Sequence, residues 1–307
     1  MPSHRFERSV RALLLATAAI TACGASRAGA LQTCDHQATL SAGQKDTLFR
    51  FGAIIKSELE NSGARLALVA RSGLDLSRFG MRYSHAGFSL KASPNTPWSV
   101  RQLYYACDER RPRIFDQGLA GFLLGTDDPS IGYVSVVLMP AREADEVEHT
   151  ALDNGRALQL LNTTYSANAY AWGLQYQNCN QWVAEMLATA WGRIGDAEAP
   201  RARAQRWLAE HDYEPSRVEV RNRALVWAAA FVPWLHSDDH PAEDVARMIY
   251  RVSMPAAIES FVRSTVPGAS RIEFCHNERH VVVHRGWEPI AEGCTPGEQD
   301  SVIPLVD

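Results

Sequence analysis

Apolar residues recur at Leu48, Phe51, Ile54, Ile55 and Leu59, a spacing that gathers them on one side of a helix. Ser41 before this run and Gly63 after it are a cap and a stop, so the pattern predicts a helix from about Leu40 to Ser62. Arg65 to Arg71 is a short apolar run suited to a buried strand. From Met81 to Leu90 the pattern alternates: Ala86, Phe88 and Leu90 share one face, and Tyr83, His85, Gly87 and Ser89 share the other. Ser93 to Pro97 is a turn and Trp98 to Ala106 runs back, which predicts a β-hairpin. Asp116-Gln117-Gly118 opens a short helical piece. Gly132 to Pro140 reads as another strand, and Ala141 to Leu161 as a helix broken at Asp153-Asn154-Gly155.

An Asn- and Tyr-rich linker, Asn162 to Gln177, leads to a second strong helical pattern. Its apolar positions are Trp182, Val183, Met186, Leu187, Ala190 and Trp191, so an amphipathic helix begins close to Cys179. Arg201 to Glu210 is helical. The apolar stretch Ala224 to Leu235, interrupted by Pro233, is expected to pack inside the protein. Ala246 to Val262 reads as a helix interrupted by Pro255, and Arg271 to Trp287 as two strands around the turn His276-Asn277-Glu278.

The chain has 307 residues, 46% hydrophobic and 21% charged, which excludes a disordered or fibrous protein and suffices for one large or two modest cores. Its first thirty residues differ from the rest. Arg5, Arg8 and Arg11 precede the apolar run Ala12 to Ala22, and Ala28-Gly29-Ala30 is a cleavage pattern; together these predict a secretory signal peptide. Ile20-Thr21-Ala22-Cys23-Gly24 offers an alternative, a lipobox that would place a lipid anchor on Cys23. The expected location is therefore the periplasm or the exterior, with an outer-membrane lipoprotein as the second possibility. No later stretch reaches the length of about 18 apolar residues that suggests a transmembrane span. The net charge of −4 and the lack of a Gly-rich phosphate loop or Lys-rich tract argue against nucleic acid as a partner. Nothing in the pattern calls for a cofactor.

Beyond the leader the cysteines are Cys34, Cys107, Cys179, Cys275 and Cys294, an odd number, which leaves one thiol over in a disulfide-permitting compartment. Cys275 with Cys294 and Cys34 with Cys107 is one arrangement, leaving Cys179, although spacing alone does not fix it. Cys179 stands at a helix start, where Asn178 or Asn180 can cap the first N–H groups and the helix dipole favours a thiolate. The competing reading is a buried structural cysteine. A thiol nucleophile needs a base, and His85, in Ser84-His85-Ala86-Gly87 with small neighbours, is the best placed imidazole. The cluster His236, Asp238, Asp239, His240, Glu243 and Asp244 could be metal ligands, but a polar loop with Pro241 opening a helix accounts for it, so no metal is expected. His280 and His284 share a strand face and are expected to face solvent.

The segments Tyr83-Ser-His-Ala-Gly87 and Gln177-Asn-Cys-Asn-Gln181 resemble the permuted papain-like proteins related to NlpC-type cell-wall peptidases and to lecithin:retinol acyltransferase, in which the His strand precedes the Cys helix. The wider chain, including Leu103 to Asp108 and Asn178 to Trp182, is similar to an uncharacterised family of secreted bacterial proteins, a domain of unknown function. The resemblance implies a third polar residue that orients the imidazole from the next strand. If Lys91 pairs with Trp98, Gly87 pairs with Gln102, which makes Gln102 the choice; a one-residue slip would offer Arg101 instead. Tyr83 and Asn178 are expected to supply substrate hydrogen bonds, and backbone N–H groups near Cys179 an oxyanion hole.

The expected fold is α+β: a permuted papain-like core over residues 31–195, with an antiparallel sheet packed on the Cys-bearing helix. A mainly helical extension with a C-terminal β-hairpin, 196–307, packs on that core. The expected function is that of an exported cysteine hydrolase acting on amide bonds such as those of cell-wall peptides. The alternatives are an acyltransferase or thioesterase working through an acyl-Cys intermediate, and a non-catalytic binding or assembly module.

Overall fold

The computed structural model describes residues 40–107, 109–195 and 198–305; the expected signal peptide with Cys23, and also Cys34, lie outside the described residues. The fold is α+β. In chain order its elements are α1 (Ala42–Asn61), β1 (Leu66–Arg71), β2 (His85–Leu90), β3 (Ser99–Ala106), β4 (Arg111–Gln117), α2 (Leu119–Leu123), β5 (Gly132–Leu138), α3 (Ala141–Leu152), α4 (Asn154–Gln159), α5 (Cys179–Trp191), α6 (Pro200–Glu210), β6 (Ser216–Glu219), α7 (Arg223–Ala229), α8 (Ala242–Ala246), β7 (Ile249–Val252), α9 (Pro255–Thr265), β8 (Ser270–His276), β9 (His280–Arg285) and β10 (Ser301–Pro304). Ser41 and Gln44 form a reciprocal capping box at the start of α1, which satisfies two otherwise orphaned N–H groups.

The molecule is organised on one eight-stranded sheet in the order β10-β9-β8-β5-β1-β2-β3-β4, antiparallel throughout. Alternation along the strands divides the core in two. Ala86, Phe88, Leu90 and Leu103 face α3, α5, α6 and α9 in one apolar cluster, whereas Ala67, Val69, Val100 and Val134 face α1 and α2 in the other. Helix α5 lies across the first face, with Phe88 against Trp182 at 6.3 Å between ring centroids.

Several elements depart from the sequence pattern, each for a tertiary reason. The alternation from Met81 becomes strand only at His85, because β1 ends at Arg71, opposite His85. β4 has no clear apolar signature and exists through its pairing with β3. The helix expected from Ala246 to Val262 is divided: Met248 takes a left-handed backbone, φ 56°, and residues 249–252 pair with β6. The C-terminal third, expected as a mainly helical extension with a hairpin, supplies three of the eight sheet strands, β8, β9 and β10. Ala224 to Leu235, expected to pack inside, is largely exposed, and α7 has no buried residue. Among the described residues no helix is long and apolar enough to cross a membrane.

Candidate functional site

The site is built from the N-terminus of α5. Asn178 is the cap: its Oδ1 accepts from the Gln181 backbone N–H at 2.6 Å, while its Nδ2 donates to the carbonyls of Ala167 and Ser253 at 3.3 and 3.4 Å. Expected to hydrogen-bond a substrate, Asn178 instead has both ends of its amide engaged within the protein. Cys179 follows it, buried and carrying a thiol. Cys275 and Cys294 are joined in a disulfide. Cys107 is disulfide-bonded too, and its expected partner, Cys34, lies outside the described residues. Asn180 donates through Nδ2 to the carbonyl of Ser84 at 3.1 Å. This bond ties the residue after Cys179 to the residue before His85, at the end of the sheet where β2 begins. The Asn180 Oδ1 is buried with no partner among the described residues.

β2 and β3 pair with Phe88 opposite Arg101 and Ser89 opposite Val100, a register that carries Gln102 to the level of Gly87. The strands come together there because Gly87 lacks a side chain: a Cβ would stand 2.7 Å from Val100 Cγ1 and 2.8 Å from the Arg101 carbonyl. His85 Nε2 lies 2.5 Å from Gln102 Oε1. Gln102 Nε2 donates in turn to Gln117 Oε1 at 2.8 Å. With Gln102 Nε2 on Gln117, the Gln102 oxygen faces the imidazole, an arrangement in which His85 Nε2–H donates to it. Arg101, the alternative under a slipped register, turns away and pairs with Asp116.

Burial, followed by the positive charge of Arg71, pushes His85 down to about 3, and the Gln102 hydrogen bond only partly opposes them. Arg71 is the cross-strand neighbour of His85, and its guanidinium lies over the Phe122 ring at 5.2 Å. The imidazole also stands beside Phe122 at 5.9 Å and Tyr104 at 6.4 Å between ring centroids. Sequence reasoning missed Arg71, Gln117 and Phe122. Only the single charge closing the apolar run Leu66 to Arg71 hinted at the first.

Tyr83 is placed elsewhere. Its hydroxyl donates to Glu273 and accepts from Arg271 Nη2 at 3.0 Å, inside a buried network that also includes Arg82, Glu259 and Ser135. Burial, then the Glu273 carboxylate, raises the Tyr83 phenol well above its ordinary range. The polar cluster near residue 240 serves packing. His236 stacks on Tyr176 at 4.4 Å, His240 Nε2 meets the Asn168 carbonyl at 2.7 Å, and Asp239 accepts from the Tyr170 N–H at 2.8 Å. His280 and His284 are not simply solvated: His284 Nδ1 lies 2.6 Å from Asp300 and His280 meets the Cys294 carbonyl at 3.3 Å. Two surface hollows, one lined by Thr47 and Glu278 and one by Asn61 and Trp287, include neither Cys179 nor His85.

A family model described as "Uncharacterized protein conserved in bacteria (DUF2145)" matches residues 58–262, about two thirds of the chain. The chain belongs to the DUF2145 family. The matched span runs from the end of α1 into α9 and contains His85, Gln102, Gln117 and Cys179. Neither the curated proteins nor the solved structures yielded a match, so the reading of this DUF2145 protein rests on its own residues.

Proposed function

We propose that the protein is an exported thiol hydrolase with a permuted papain-like core, in which Cys179 is the nucleophile, His85 the base and Gln102 the residue that orients the imidazole. The observation that carries this reading is the junction of α5 and β2: the residue after a thiol at a capped helix start is bonded to the backbone just before His85, whose imidazole meets Gln102. In the reaction, Cys179 Sγ attacks the substrate carbonyl and its proton passes to His85 as the base. Collapse of the tetrahedral intermediate breaks the C–N bond, the proton leaves with the amine, and water then hydrolyses the thioester. The N–H groups opening α5 are suited to the oxyanion, since the first turn of a helix has N–H groups without intrahelical acceptors. Export and the resemblance both point to amide bonds, and cell-wall peptides are the substrate class to test first.

A second reading, acyl transfer through acyl-Cys179, is favoured by one observation: the exposed apolar segment Ala224 to Leu235 adjoins the Ala167 loop on which the α5 cap rests. The test is digestion of peptidoglycan by the wild type and by Cys179→Ser, with released peptides followed by mass spectrometry and iodoacetamide labelling of Cys179 followed in parallel. The expected result is peptide release by the wild type alone, with none from His85→Ala although its Cys179 is still labelled. Acyl left on Cys179 by a labelled lipid donor would favour the second reading. No peptide release, together with no acyl left on Cys179 by a lipid donor, would leave a non-catalytic binding module.

A further inference from the structure

The stretch Ala224 to Leu235 contains no charged residue, yet it is turned outward. Trp227 is 70% exposed, Phe231 69% and Leu225 39%, and the two aromatic rings stand edge to face at 4.8 Å, forming one prominence. Its base is held firmly: the Ala167 N–H donates to the Trp234 carbonyl at 2.8 Å, and Asn168 Nδ2 donates to the His236 carbonyl at 2.9 Å. A contiguous exposed apolar patch of this kind marks an interaction surface.

We propose that this prominence inserts into the surface of an anionic lipid bilayer. Three features select lipid over a protein partner or a second copy of the chain. No residue of α7 is buried, and its apolar side chains point to several sides, so immersion covers them where a groove would cover one face. The apolar run is too short to span the roughly 20 residues of a bilayer core, and it carries Trp and Phe, residues suited to the interface. Arg221 and Arg223, both exposed, directly precede it, giving a positive collar that complements anionic headgroups in a chain of net negative charge. The nearby carboxylates are engaged: Glu219 with Arg217 at 2.9 Å, and Asp238 with Gln175 and Tyr176. Insertion brings the Ala167 loop, and with it the N-terminus of α5, toward the membrane surface.

The test is flotation of the full chain with vesicles of phosphatidylcholine containing phosphatidylglycerol, compared with phosphatidylcholine alone. The wild type floats with the anionic vesicles, and Trp227→Ser combined with Phe231→Ser lowers the bound fraction by about tenfold or more, because membrane affinity follows the apolar area inserted. Arg221→Gln with Arg223→Gln removes the preference for anionic vesicles, by about fivefold per arginine. Cys179→Ala floats like the wild type, so failure of the thiol chemistry and failure of membrane binding are separable. Quenching of wild-type tryptophan fluorescence by brominated phosphatidylglycerol is expected as well and requires no variant to fold. A wild type that stays with the soluble fraction overturns the proposal. So does an aromatic variant that floats equally well, or one whose sole defect is loss of a dimer.

Discussion

His85 is held between opposing influences. Gln102 favours its protonated form, while burial and the Arg71 charge disfavour it, and the second pair prevails, so that its pKa falls from 6.5 to about 3. At neutral pH the imidazole is therefore uncharged, the form that can take a proton from a thiol. The rate of Cys179 alkylation is accordingly expected to climb with pH as the thiol itself ionises. Labelling by iodoacetamide across a pH series checks this, and a rate plateau extending below pH of about 6 would mean a thiolate–imidazolium pair instead. The places of Cys179 at the start of α5 and of His85 at the start of β2 were legible from local pattern, whereas Gln102 was reached from the resemblance together with an assumed register, the one that β2 and β3 have. Arg71 and Gln117 were not legible, because their effects on His85 come through β1 and β4, strands whose pairing with β2 and β3 the local pattern does not encode.

At the scale of one element, α5 departs most from its sequence pattern. Its apolar spacing reads as amphipathic, but every residue from Cys179 to Ala190 is buried. The polar side is covered because its charge is met in place. Glu185, fully buried, accepts from Arg201 Nε and Nη2 at 2.9 and 3.0 Å, from Gln205 at 2.8 Å and from Gln177 at 2.6 Å. Arg201 also donates to the carbonyls of Leu174 and Tyr176, so one ion pair joins α5, α6 and the linker that delivers Cys179. Arg201→Ala strands a buried carboxylate and is expected to cost about 3–5 kcal/mol of stability. Replacing both partners by Glu185→Gln and Arg201→Met should recover a large part of that loss, which urea unfolding of the two variants would measure. Equal losses in both would mean that the charges are not what holds the helix in place.

For the whole molecule, acid sensitivity follows from histidines buried in neutral form. Burial pushes His276 down to about 4, as burial and Arg71 push His85 to about 3, both from 6.5. Both folded values are depressed, so the unfolded chain binds the extra protons. Their stabilising contributions are complete above pH 6.5 and are lost as pH falls toward 4, at up to about 1.4 kcal/mol per pH unit for each group. Glu259 acts in the opposite sense: burial raises it from 4.5 to about 7, so its contribution is present below 4.5 and is lost as pH rises through 7. Thermal unfolding between pH 4 and 6.5 is expected to show a steep loss on the acid side, shallower in His276→Leu. An unchanged slope in that variant would contradict the burial of a neutral ring. By itself, the sequence determined the α1 helix and its cap, the existence of the β2–β3 hairpin, the start of α5 and the α+β class. These depend on residues a few positions apart, whose spacing and turn chemistry act locally. The register of the hairpin was left between two choices that the structure decided. Tertiary structure alone decided that β8 pairs with β5 and so extends one continuous sheet. It also decided that the polar side of α5 is buried and that Ala224 to Leu235 lies outside. Each of these depends on which distant surface covers a segment, and hydrophobic periodicity says that a face is to be covered without saying by what.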